Sequence, residues 1–69
     1  MKIYKGFEKE IKKAQSMSQD DIWNKIICPA YEENLIELGN FSLDSIKVNP
    51  KSIVIINRMQ NGHDIKICI

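Results

Sequence analysis

Apolar residues recur at a helical spacing through the first part of the chain. The first stripe, at intervals of three and four residues, consists of Phe7, Ile11, Ala14 and Met17. Side chains at these intervals share one face of an α-helix, so we predict a helix over residues 6–16. Its other face carries lysines and glutamates and is expected to face solvent.

A second helical region follows and is expected to contain a break. Ser18 can cap a helix by accepting a hydrogen bond from a free backbone N–H, so we predict that a helix begins there. Pro29 lacks the N–H that a helix interior needs, and the apolar stripe changes direction across it. We therefore predict a kink or a new helix at Pro29. It should end at Gly39, because glycine suits the left-handed residue after a helix.

After Gly39 the apolar residues alternate with polar ones, which is typical of β-strands. Strands are predicted over residues 43–48, 52–59 and 63–69. Pro50 favours a turn between the first two strands, and Asn61-Gly62 favours a two-residue type I′ hairpin turn between the last two.

The Asn61-Gly62 turn predicts a register for the last hairpin. It pairs Gln60 with His63 and Ile56 with Ile67. The face expected to pack against the helices then carries Val54, Ile56, Ile65, Ile67 and Ile69. The other face is left with Ile53, Ile55, Met59 and Cys68.

These elements predict the α+β fold class, with two to three short N-terminal helices packed on a C-terminal three-stranded antiparallel meander. Ile3 and Tyr4 form either a short additional strand or an N-terminal extension. A chain of 69 residues has the size of one small domain, so residues 1–69 are expected to form a single unit.

Charge is divided along the chain although the net charge is only +1. Residues 1–17 and 46–69 each carry a net charge of +3, and residues 18–45 carry −5. Thirteen isoleucines against three leucines, and nine lysines against one arginine, suggest a low-GC bacterium or its phage as the source. Neither basic segment is strong enough to require a nucleic-acid partner.

The sequence predicts no catalytic residue, no metal site and no cofactor. Cys28 and Cys68 are expected to be reduced thiols, and with one histidine they do not form the paired-ligand spacing of a metal site. The N-terminus has no apolar signal segment, and the longest aliphatic run, residues 53–56, is far too short to span a bilayer. We therefore expect a cytoplasmic protein that does not contact the membrane.

The function expected from these features is a small non-enzymatic protein-binding module, an inhibitor or regulator from a phage or mobile element. Two short helices cover about one face of a sheet, so the second face or the edge of the last strand is expected to bind a protein partner. A homodimer is also expected. The expected partner-binding residues are Ile53, Ile55, Met59, Cys68 and Tyr31.

Two alternatives stay open. A nucleic-acid-binding regulator would use the basic first helix, through Lys9, Lys12 and Lys13. A small ribonuclease toxin has the same order of elements, and His63 would then act as an acid or base with Arg58 beside it. That second alternative rests on the order of elements alone.

Overall fold

One mixed sheet of four strands organises the fold. The computed structural model describes all 69 residues and shows strands β1 (Lys2–Tyr4), β2 (Leu43–Asn49), β3 (Ser52–Asn57) and β4 (Ile65–Cys68). Their order in the sheet is β1-β4-β3-β2. The last three strands pair antiparallel, as expected, while β1 pairs parallel with β4. The predicted three-stranded meander is therefore part of a larger mixed sheet within an α+β fold.

The first helix, α1, spans Glu8–Ala14 and is shorter than the predicted range. It is preceded by Gly6, whose φ of +91° lies in the left-handed region that glycine tolerates. After this turn, the N–H of Phe7 donates to the carbonyl of Cys68, 2.9 Å away, so the helix starts directly beside β4. Ile11 and Ala14 then face the sheet and are buried.

The second helical region begins as predicted and continues through Pro29. Ser18 Oγ accepts the N–H of Asp21 at 3.2 Å, which confirms the N-terminal cap. Three segments follow without interruption: α2 (Gln19–Ile22), a π-helical turn (Trp23–Ile27) and α3 (Cys28–Glu32). None of the helices combines the length and the apolar character needed to cross a membrane.

A π-helical turn lies at the predicted break, and a new α-helix begins directly after it at Cys28, with Pro29 in its first turn. A proline in an α-helix clashes with the carbonyl four residues before it and leaves that carbonyl without a donor. Here the N–H of Cys28 donates to the carbonyl of Trp23, five residues back. The wider turn lets the chain pass Pro29 as a helix, and it also rotates the apolar stripe between Ile26 and Ala30.

The helix ends at Glu32, and the prediction that it continues to Gly39 is wrong. Asn34 adopts a φ of +62° and ends the helix in a Schellman motif. Its two bonds run from the N–H of Leu35 to the carbonyl of Ala30, at 2.9 Å, and from the N–H of Asn34 to the carbonyl of Tyr31, at 3.0 Å. Asn34, and not Gly39 as predicted, therefore occupies the left-handed position that ends this helix.

The register of the last hairpin also differs from the prediction. Ile67 pairs with Ile53 rather than with Ile56, and Ile65 pairs with Ile55. The chain between the strands is a loop over residues 58–64, in which the N–H of Gly62 donates to the carbonyl of Met59 at 3.1 Å. Gly62 has no positive φ, so Asn61-Gly62 does not form a type I′ turn.

This change in register exchanges the two faces of β3 relative to β4. Because the shift is by an odd number of residues, the side chains of β3 change face, whereas Ile65 and Ile67 of β4 lie in the core as predicted. The core is formed by Phe7, Ile11, Ala14, Ile22, Ile26, Ile27, Ala30, Ile36, Ile46, Ile53, Ile55, Ile65 and Ile67. Ile53 and Ile55, expected to contact a partner, are fully buried in this core. Their assignment to a binding surface is therefore corrected.

Candidate interaction surfaces

The face of the sheet opposite the helices has no layer covering it. Its centre is formed by apolar side chains on three strands, Ile3, Val54, Ile56 and Cys68, placed there by strand alternation and by the register. Ile3 is 57% exposed, and the other three are half-buried. We call these four residues with Lys47 and Lys66 the open face.

Two lysines lie among the apolar residues of the open face. Lys66 lies between Ile3 and Val54, because β4 pairs with both neighbouring strands at this position, and Val54 pairs in turn with Lys47. Neither lysine makes an ion pair with another residue of the chain. Ser45, Asn49 and Ser52 lie on the same side, and the exposed acid Asp44 lies at the register shift next to Ser45. The open face therefore combines apolar contact area with two lysines that form no ion pair within the chain.

The expected partner-binding residues that remain exposed do not form one surface. Cys68 belongs to the open face, and its thiol is free, as is that of Cys28. Met59 is 41% exposed in the loop that joins β3 to β4. Tyr31 is 50% exposed near the end of α3, where it lines a cleft on the helical side of the sheet. Ile3 and Val54 were missed, because β1 and the register were not known.

The cleft has a volume of about 460 Å³ and lies where α3, the segment after it and the β3–β4 loop meet. Apolar residues of the lining are Ile36, Leu38 and Ile65, and polar side chains come from Lys2, Tyr31, Asn34, Glu37, Asn40, Asn61 and His63. Ile36 and Ile65 are buried, whereas most of the polar residues are exposed. An apolar base with a polar rim is the usual composition of a small-ligand site.

One ion pair crosses the rim of the cleft. The ammonium of Lys2 donates to a carboxylate oxygen of Glu37. This hydrogen bond and the charge of Lys2 hold the pKa of Glu37 below its ordinary value of 4.5. The same contact raises the pKa of Lys2. Both side chains are largely exposed, so the pair positions β1 more than it stabilises the fold.

The two residues proposed for ribonuclease chemistry lie in different environments. His63 lines the cleft, but Arg58 does not. The guanidinium of Arg58 instead donates to the carbonyl of Leu43 at 3.1 Å, and its backbone N–H donates to the carbonyl of Ser42 at 2.7 Å. Arg58 thus holds the start of β2.

The basic residues of α1 lie on the helical side, away from the open face. Lys9, Lys12 and Lys13 are all exposed, as a binding role requires. Glu8 lies 3.6 Å from Lys12 in an i,i+4 pair, and Glu10 lies on the same helix. These acids offset two of the three positive charges of α1.

Comparisons of the chain with protein-family models, with curated proteins and with solved structures found no match.

Proposed function

We propose that this protein is a non-enzymatic binding module whose open face binds an acidic, amphipathic segment of another protein. The observation that carries the proposal is the combination on one uncovered sheet face of four apolar side chains with two unpaired lysines. By covering a surface of that partner, this protein would inhibit or regulate the function that the partner's surface serves.

The apolar centre supports binding strength. Burying an aliphatic side chain completely is worth about 1.5–3 kcal/mol. Ile3, Val54, Ile56 and Cys68 begin partly shielded by their neighbours, so each contributes less than that value. A helix that places apolar residues along one side could cover all four, because such helices commonly bind apolar grooves and faces.

The lysines support the choice of an acidic partner. Complementary charge increases the association rate and excludes partners of the wrong sign. Lys47 and Lys66 stand on either side of Val54, so acidic residues flanking an apolar stripe would reach both. The attraction between these lysines and an acidic partner weakens as the salt concentration rises.

The same charges bear on self-association. In a two-fold symmetric dimer the same patch faces itself. The open face would then bring Lys47 and Lys66 of one copy close to the same lysines of the second copy. A different, acidic protein is therefore a better partner for this face than a second copy of the chain.

A nucleic acid is the second candidate for the open face, because the unpaired lysines could also contact phosphates. Strand positions on this side offer no aromatic side chain on which bases could stack. Trp23 and Phe41 instead stack on each other, with ring centroids 5.8 Å apart. The protein partner is favoured for this reason.

A selection from displayed helical peptides of varied charge tests the proposal. The full chain should enrich acidic amphipathic sequences, and their affinity should fall steeply when Lys47 and Lys66 are both replaced by glutamate. Val54→Lys should also abolish binding. Leu35→Lys is the matched control, because Leu35 is 54% exposed but lies in the segment after α3. Binding of oligonucleotides to the full chain at low salt, measured in parallel, tests whether the open face binds a nucleic acid instead.

Three results would contradict the proposal. The first is that no peptide is enriched above a scrambled library. The second is enrichment without preference for acidic residues. The third is binding that survives charge reversal at Lys47 and Lys66 while the variant remains folded by circular dichroism.

A further inference from the structure

We propose that the cleft beside α3 binds a planar nucleobase, presented either by a free nucleoside or by a single-stranded nucleic acid. The cleft lies on the helical side of the sheet, and the open face lies on the opposite side. This inference is therefore independent of the protein-binding function proposed above, and each can fail without the other.

The size and base of the cleft suit a flat, partly apolar ligand. Its volume of about 460 Å³ falls within the range of small-molecule sites. Ile36 and Ile65, which are 2% and 1% exposed, belong to the core and give the cleft a fixed apolar base. A ring placed against them would lose contact with water on that side.

The walls of the cleft are held before any ligand arrives. The side-chain amide of Asn57 donates to the carbonyl of Asn40 at 2.9 Å, joining the segment after α3 to the end of β3. The backbone N–H of Asn57 donates to Asp64 at 3.0 Å, which fixes the end of the β3–β4 loop. A preformed site avoids much of the ordering cost of binding.

Three free side-chain amides give the rim its hydrogen-bonding pattern. Asn34, Asn40 and Asn61 line the cleft, and none of their side chains takes part in a hydrogen bond within the chain. A carboxamide offers a donor and an acceptor side by side. That pair matches the edge of a base, as in the bidentate contact between asparagine and adenine.

Tyr31 provides the stacking surface. Half of this large side chain is exposed although it lines the cleft. Bases in protein sites commonly stack on tyrosine rings, and proteins that bind single strands use such rings repeatedly. An aromatic ring beside amide side chains favours a base over a peptide chain.

The rim of the cleft offers no net positive charge to bind a free polyphosphate. Lys2 and Glu37 are paired with each other across the rim, so their charges cancel. An uncharged heterocycle is thus favoured over a free polyphosphate. A neutral sugar shares the hydrogen-bonding groups but not the flat ring, so it serves as the competing ligand in the test.

The test is a titration of the full ¹⁵N-labelled chain with adenosine, guanosine, cytidine and uridine, with short adenine and uracil oligonucleotides, and with glucose. Saturable shifts should appear at residues 31, 34, 40 and 61–63 for at least one base. Tyr31→Ala should weaken binding by about five-fold or more, and Tyr31→Phe should retain it. Asn61→Ala should also weaken binding, whereas Asn24→Ala, an exposed helical asparagine outside the cleft, should not.

The outcomes of the titration distinguish a free base from a single-stranded nucleic acid as the ligand. Equal affinity for nucleoside and oligonucleotide identifies a free base as ligand, and tighter oligonucleotide binding identifies a single strand. The proposal is overturned if no base produces saturable shifts at these residues, if glucose binds equally well, or if Tyr31→Ala binds like the unaltered chain.

Discussion

At the scale of single residues, Asn57 joins the end of β3 to the segment before β2 and to the start of the β3–β4 loop. Its side-chain oxygen accepts the N–H groups of Ser42, at 3.0 Å, and Met59, at 3.1 Å. Its side-chain nitrogen donates to Asn40. The Asn57 side chain makes these hydrogen bonds at the point where the strand pairing of β3 ends. A loop rather than a tight turn can therefore connect β3 to β4.

Gly62 is required for space rather than for backbone conformation. A Cβ atom there would lie 1.8 Å from the side-chain nitrogen of Asn57 and 2.6 Å from the carbonyl oxygen of Asn40. We expect Gly62→Ala to lower the free energy of unfolding by about 1–3 kcal/mol, as overpacking does. Urea denaturation measures the change.

A double-mutant cycle distinguishes this mechanism from a type I′ turn. With Asn57→Ala in the background, the side-chain part of the clash is gone, so Gly62→Ala should cost less than in the unaltered chain. Gly39→Ala is the control: Gly39 has a φ of +57° and open space around it, so its cost should not depend on Asn57. A cost at Gly62 that does not depend on Asn57 would favour backbone strain.

At the scale of elements, β1 is the strand with the fewest attachments. It has three residues at one edge of the sheet and pairs only with β4. Two contacts to Glu37 add to this pairing: the ion pair from Lys2, and the N–H of Glu37, which donates to the hydroxyl of Tyr4 at 3.0 Å. The segment after α3 therefore holds the edge of the sheet.

Acid should loosen β1 selectively. The folded pKa of Glu37 is lowered from 4.5, so the stabilising pair is fully present above that value and is lost as the pH falls through the folded pKa. Lys2, whose pKa is raised, stays protonated throughout this range. Amide hydrogen exchange at Lys2, whose N–H donates to the carbonyl of Asp64 in β1–β4 pairing, is compared with a Glu37→Gln variant at each pH. It should show an advantage for the unaltered chain that disappears in acid.

Val54, in the centre of the sheet, is the internal control for that experiment, and its exchange should not differ between the two proteins. An advantage at Lys2 that persists well below pH 4.5 would show that Glu37 does not act through its charge.

The elements that could be predicted are those specified by local chemistry. The Ser18 cap depends on one hydroxyl near its own helix, and the turn between β2 and β3 depends on Pro50. The hairpin register could not be predicted, because residues 53–56 are all branched and aliphatic and so do not reveal which face is buried. Asn61-Gly62 suggested a tight turn, whereas contacts with the distant Asn57 and Asn40 determine the loop.

At the scale of the whole molecule, the helices cover one side of the sheet and leave the other uncovered. That a spare apolar face exists could be predicted, since a small helical layer covers about one face. Its identity could not, because an odd shift in register exchanges Ile53 and Ile55 with Val54 and Ile56. The cleft was not predicted either, since its lining comes from segments far apart in sequence.

The assignment of the two faces underlies the proposed function, and adjacent isoleucines on β3 test it directly. Ile55 is fully buried and Ile56, on the open face, is half-buried. Threonine keeps the branched side chain at both positions. Ile55→Thr should lower the free energy of unfolding by about 2–4 kcal/mol, through lost packing and a buried hydroxyl. Ile56→Thr should change it by less than about 1 kcal/mol. In urea denaturation of the two variants side by side, a larger loss for Ile56→Thr would contradict the assignment.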